Sequence, residues 1–127
     1  MALIDTNIFV RLFTSDEEQL LARSVELIER IEGGEEKGVI SVLVLNELIW
    51  VLEQFYGFKK TDYVPDILEL LSIKNMKILE TKKKYVVDAL KLMLTKNLDF
   101  TDCYLLQVKG DHELFTFDKP LLKASKG

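Results

Sequence analysis

The chain has 127 residues, 48% of them hydrophobic and 30% charged, with a formal net charge of −4. That length suits one compact domain with a core of its own, residues 1–127, and the composition excludes a disordered protein. A single cysteine, Cys103, and a single histidine, His112, exclude an internal disulfide and a closed zinc site of the usual Cys/His kind.

The opening Ala2-Leu3-Ile4 is short and apolar, the pattern of a buried strand, so Asp5 emerges where that strand ends. Ile8, Phe9, Leu12 and Phe13 recur at helical spacing and predict a short helix beside Asp5. Ser15-Asp16-Glu17-Glu18 reads as a fresh cap with acids in the first helical turn. Leu20, Leu21, Val25, Ile28 and Ile31 carry the next helix until Gly33-Gly34 stops it. Gly38-Val39-Ile40-Ser41 predicts a second strand, followed by a long helix over residues 43–56 that Gly57 ends. Thr61-Asp62 is the expected cap of another helix, with Pro65 in its first turn and Ile67, Leu68, Leu70 and Leu71 facing inward. Met76 to Leu79 predicts a third strand, and Val86, Val87, Leu90, Leu92 and Met93 a helix after it. Asp99 starts a further helix through Leu105, Leu106 and Val108. Leu114 to Phe117 is the fourth expected strand, and Pro120-Leu121-Leu122 a closing helical turn or two. Short strands separated by helices imply an α/β fold with a central parallel sheet flanked by helices.

Charge is uneven along the chain. Residues 1–63 carry 12 acidic and 6 basic groups, whereas residues 64–127 carry 9 and 11. The acidic total disfavours broad nonspecific nucleic-acid binding and places any basic track in the second half. Lys82-Lys83-Lys84 is the densest basic run; at a helix N-terminus its charges oppose the dipole, which makes phosphate contact the alternative to a solvated surface. No apolar run approaches the ~20 residues of a membrane span, and no basic stretch precedes an apolar N-terminal one. The expectation is a cytoplasmic protein without a membrane partner. Trp50, Phe55 and Tyr56 read most simply as core, with a dimer interface as the alternative.

Five acids occupy awkward places. Asp5 follows a strand, where its other reading is a helix N-cap. Glu47, in LVLNELIWVLEQF, shares a helical stripe with Val44 and Val51, where a carboxylate is costly unless satisfied; its other reading is a helix edge reaching solvent. Asp99 and Asp102, in NLDFTDCYLL, are spaced like a capping box. Asp118, in LFTFDK, follows the last expected strand as Asp5 follows the first, and reads equally as a turn or cap residue. In a parallel sheet, strand C-termini and helix N-termini converge on one edge. That edge would gather Asp5, Asp102 and Asp118, with Glu47 projecting toward them. Clustered carboxylates raise one another's pKa unless a cation neutralises them. All-oxygen ligation suits Mg²⁺ or Mn²⁺, and such ions support phosphodiester cleavage.

The ordered set LIDTNIF, NELIWVLEQFYG, DFTDCYLL and TFDKPLL resembles the PIN-domain ribonucleases, particularly the VapC-type toxins of toxin-antitoxin pairs, over nearly the whole chain. The resemblance implies a metal-dependent endoribonuclease with Asp5, Glu47, Asp102 and Asp118 as the acidic metal-binding and catalytic quartet. It implies Asp99 as an accessory acid, and Thr6, Asn7 and Thr116 as polar residues that orient the acids or a water. Expected partners are RNA, a cognate antitoxin and a second copy of the chain. Cys103 stands where the family usually has a small residue, and the chain stops soon after Leu122, so the expected sheet has four strands, with the five of many members as the alternative. A haloacid-dehalogenase-like phosphatase would need an acid where Asn7 stands, and a response-regulator receiver would need an acidic pair after the first strand. The rival from another class is a noncatalytic PIN fold that binds RNA or a protein. An RNA-processing or decay nuclease without an antitoxin is the rival within the class.

Overall fold

The computed structural model describes residues 1–127. Three short strands, β1 (Ala2–Leu3), β2 (Gly38–Ile40) and β3 (Met76–Ile78), pair in parallel in the order β1-β2-β3. Ala2 lies opposite Gly38, and Gly38 opposite Met76. Parallel neighbours need a crossover. Helices α1 (Thr6–Thr14) and α2 (Glu18–Glu32) supply the first, and α3 (Val42–Gln54) and α4 (Lys60–Ser72) the second. Helices α5 (Lys83–Met93), α6 (Phe100–Val108) and α7 (Lys119–Lys126) follow β3. All three residues of β2 are buried, as a central strand between two neighbours requires. No helix is long and apolar enough to cross a membrane.

The core is one cluster of 23 buried residues drawn from β1's continuation at Ile4 through to Leu121. Phe9 of α1, Leu48 and Leu52 of α3, Ile67 of α4 and Leu90 of α5 are fully enclosed. Tyr63 is the largest side chain fully enclosed there. Its hydroxyl avoids an unsatisfied burial by donating to Glu53 Oε2 at 2.6 Å.

Several expectations need correction. The sheet has three strands, because Leu114–Phe117 forms no strand. That segment alternates in burial as a strand would, with Phe115 and Phe117 turned fully outward. Alternation is not sufficient without a ladder partner, and no backbone–backbone hydrogen bond involves residues 113–117. The Asp118 N–H turns back onto Thr116 Oγ1 at 3.0 Å, which breaks the extended run at its end. Ser15 does not cap α2. It closes α1 in the left-handed region at φ 56°, donating its N–H to the Arg11 carbonyl, and α2 starts at Glu18 with no side-chain cap. Helix α4 starts at Lys60, earlier than Thr61-Asp62 suggests, so Asp62 takes the third helical position and accepts the Lys59 N–H at 2.7 Å. Pro65 consequently lies inside the helix beyond its first turn. Trp50, Phe55 and Tyr56 are not core: they are 55%, 73% and 38% exposed, because Leu45, Leu48, Ile49 and Leu52 already fill the inward face of α3.

The start of α3 is held from an unexpected direction. Ser41 Oγ accepts the Leu43 N–H at 3.1 Å, while Glu80, just past β3, accepts the Val42 N–H at 2.8 Å and the Ser41 hydroxyl. Burial alone would push the Glu80 carboxyl up, but the Ser41 hydroxyl and the Val42 amide outweigh it and hold the group below the usual glutamate range. A lowered folded pKa contributes stability above the ordinary value and loses it as pH falls through the folded one. Glu80→Gln should therefore lower stability near neutral pH by less than a lost helix cap, about 1 kcal/mol, because the exposed carboxylate is screened by solvent. Urea melts should show the difference from wild type closing in acid, below the range where Glu80 is ionised.

Candidate functional site

The C-terminal edge of the sheet delivers Asp5, Ser41 and Glu80 in the same direction, one after each strand. Helix α1 begins at that edge, and three of the candidate acids are helix caps. Asp5 caps α1 and accepts the Thr6 N–H at 2.8 Å; Asp99 caps α6 and accepts the Asp102 N–H at 2.9 Å; Asp118 caps α7 and accepts the Leu121 N–H at 2.9 Å. Each of these bonds uses one carboxylate oxygen. A cap and a ligand are compatible roles for one aspartate, since an ionised carboxylate offers about four acceptor positions.

The side chains fall into two linked groups. Asn7 Nδ2 donates to Asp5 Oδ2 at 3.4 Å, and the buried Thr6 hydroxyl donates to Glu47 Oε1. Thr6 thus ties the start of α1 to the middle of α3, and Glu47 itself is exposed to solvent, the helix-edge placement that was the other reading of its spacing. The second group is Asp99, Asp102 and Asp118. Burial, then the charges of Asp99 and Asp118 and the Asp99 carboxyl itself, push the Asp102 carboxyl above the usual aspartate range. Thr101 Oγ1 donates to Asn46 Oδ1 at 3.4 Å, so the neighbours of Asp102 and Glu47 touch and join the groups. Thr116 holds the backbone of Asp118 and touches no acid's carboxylate.

The fit to a divalent cation rests on chemistry and charge. The ion pairs of the protein engage Glu36, Asp16, Glu26 and Asp88. None engages Asp5, Glu47, Asp99, Asp102 or Asp118, so their negative charge is unneutralised. Oxygen donors of this kind suit a hard cation that keeps several waters. The side-chain positions leave no three Asp, Glu, His or Cys groups close enough to share one ion. Donor type and charge fit the group; the convergence of the acids is looser than a formed metal centre.

Sequence reasoning missed Glu80, Asn46 and Thr101. Glu80 carried the same signal as Asp5, an acid directly after a predicted strand, and went unread. Asn46 and Thr101 carried none, since their contact spans 55 positions. Of the lysine run, Lys83 Nζ donates to the Ile73 carbonyl at 3.1 Å and Lys84 pairs with Asp88 at 2.6 Å. Two of its three charges are therefore engaged within the protein.

No curated protein and no solved structure matches the chain. The family model described as PIN domain matches residues 2–126. Proteins of that description are generally nucleases and typically use divalent metals. A parallel sheet with an acid after its first strand and another after its third agrees with that match, and the chain belongs to the PIN domain family.

Proposed function

We propose that residues 1–127 act as one nuclease domain, a Mg²⁺- or Mn²⁺-dependent endoribonuclease working in the cytoplasm. The observation that carries this reading is the set of carboxylates without cationic partners, among which Asp99 and Asp118 oppose the charge on Asp102. Asp5, Glu47, Asp102 and Asp118 would hold the cation, with Asp99 as accessory. When bound, the cation supplies charge neutralisation and Lewis-acid polarisation of the scissile phosphate. The chain itself sets the geometry. Thr6 occupies one oxygen of Glu47 and leaves the second without a hydrogen bond from the protein. Asn7 steadies the outer oxygen of Asp5, and Thr116 fixes the turn from which Asp118 projects.

The toxin reading has its own support. A cavity of about 450 Å³ opens between α1, α2 and α4. Leu12, Phe13, Val25 and Phe58 contribute to its floor, and Glu29, Glu32, Asp66 and Glu69 to its rim. An apolar floor with an acidic rim suits an amphipathic segment bearing basic residues, which is what an antitoxin would present. Exposed Leu43, Trp50 and Phe55 favour a second copy of the chain on the outer side of α3. The noncatalytic alternative draws on the employment of Asp5, Asp99 and Asp118 as helix caps.

Purified protein should cut structured RNA in Mg²⁺ or Mn²⁺ and stop in EDTA. Adding Mn²⁺ should also raise the melting temperature, by a stabilisation of about 2.7 kcal/mol at 100 times Kd. Equal cutting in EDTA would refute the metal mechanism. RNA retention without cutting under any metal would favour the noncatalytic reading.

A further inference from the structure

The chain contains three arginines, Arg11, Arg23 and Arg30, and every other basic side chain apart from His112 is lysine. All three arginines line one cleft of about 540 Å³ between α1 and α2. They come from the acidic half of the chain, where net charge alone would predict no cationic surface. Arg11 is anchored to Asp16 at 2.8 Å and Arg30 leans on Glu26 at 3.3 Å. Arg23 is exposed and makes neither an ion pair nor a hydrogen bond within the protein. Arg23 and Arg30 are seven residues apart on one face of α2, or about 10.5 Å along its axis. Ile8, Leu20 and Leu27 add apolar surface between the arginines.

The choice of arginine matters. Its planar guanidinium presents a fork of donors that matches two phosphate oxygens at once, which an ammonium cannot do. An apolar floor between such forks suits an unpaired nucleotide, whose base and ribose need a surface once they leave a duplex stack. The cleft also connects to the acids. Asn7 lines it and at the same time donates to Asp5 Oδ2.

We propose that the cleft between α1 and α2 binds the phosphodiester backbone of single-stranded RNA and leads that strand past Asn7 toward Asp5. The backbone site stands on the arginines; its role in delivering substrate rests on the nuclease reading. Binding and cutting are therefore measured separately.

The probe is a labelled single-stranded RNA oligonucleotide titrated in EDTA at several salt concentrations, with cleavage followed in parallel in Mn²⁺. Each phosphate contact on a single strand contributes about 0.7 to the slope of log affinity against log salt. Arg23→Gln should weaken binding and flatten that slope by about 0.7, and the Arg11→Gln, Arg23→Gln, Arg30→Gln triple variant by about 2. Arg23→Lys should keep the slope, because it keeps the charge. Should the triple variant fail to fold, Arg23→Gln and Arg23→Glu decide alone, since Arg23 is exposed and makes no hydrogen bond or ion pair within the protein. Loss of slope in Arg23→Gln upholds the cleft even where wild type cuts nothing, and then only the nuclease reading fails. Unchanged affinity and slope in Arg23→Gln overturn the cleft, whether or not wild type cuts. Absence of RNA binding by wild type overturns it as well.

Discussion

Asp102→Asn should lower RNA cleavage by about 100-fold under the proposed metal-dependent mechanism, the upper end of the range for groups that support a bound metal, without making the metal-free protein less stable near neutral pH. The two effects have one cause. Asp102 is half-buried at the third position of α6 and faces the charges of Asp99 and Asp118, so its ionised form is opposed. A carboxyl whose folded pKa is raised contributes stability below its unfolded pKa and loses it as pH rises through the folded value. At neutral pH the ionised group is therefore a net cost in the absence of a cation, and Asn removes that cost while keeping the size. Thermal melts in EDTA should show the variant at least as stable as wild type near neutral pH, with the advantage gone in acid where wild-type Asp102 is protonated. Adding Mn²⁺ should stabilise wild type more than the variant. A variant that cuts normally would remove Asp102 from the site. Asp99→Asn is the companion, because Asn caps a helix nearly as well as Asp. It should keep the α6 cap and lose less activity; the reverse ranking would exchange the roles of the pair.

Gly38→Val is expected to destabilise the protein by about 3 kcal/mol, the upper part of the range for overpacked cores. A strand normally gains from Val in place of Gly, by up to ~1 kcal/mol. Here that gain is outweighed by space. Gly38 sits in the central strand, and a Cβ there would stand 2.7 Å from both Ile31 Cδ1 and Met76 Sδ and 3.2 Å from Ile4 Cδ1. All three neighbours are buried in the one core cluster and have no solvent to move into. Gly38→Ala should lose less, because Met76 is adaptable enough to give some ground. Denaturant melts of the two variants separate the effects: a stabilised Gly38→Val would mean that the core has room beside β2 and that strand propensity decides.

Local chemistry made much of this protein legible in one dimension. Helical spacing and short apolar runs located seven helices and three strands in order. Asp5, Asp99 and Asp118 were visible as residues at element boundaries, because capping and strand-end placement depend on only a few neighbouring positions. The PIN resemblance followed from the order of those boundaries. Tertiary structure alone decided the remainder. Whether Leu114–Phe117 became a strand depended on a ladder partner elsewhere in the chain, and it found none. The Thr6–Glu47, Thr101–Asn46 and Glu80–Val42 contacts each join residues about forty or more positions apart. The arginine cleft exists only because α1 and α2 lie side by side, and Gly38 is constrained only because three distant side chains meet over it. Periodicity and caps are short-range properties of the backbone. Pairing, enclosure and charge proximity depend on where remote segments come to rest, which is settled by the packing of the whole core.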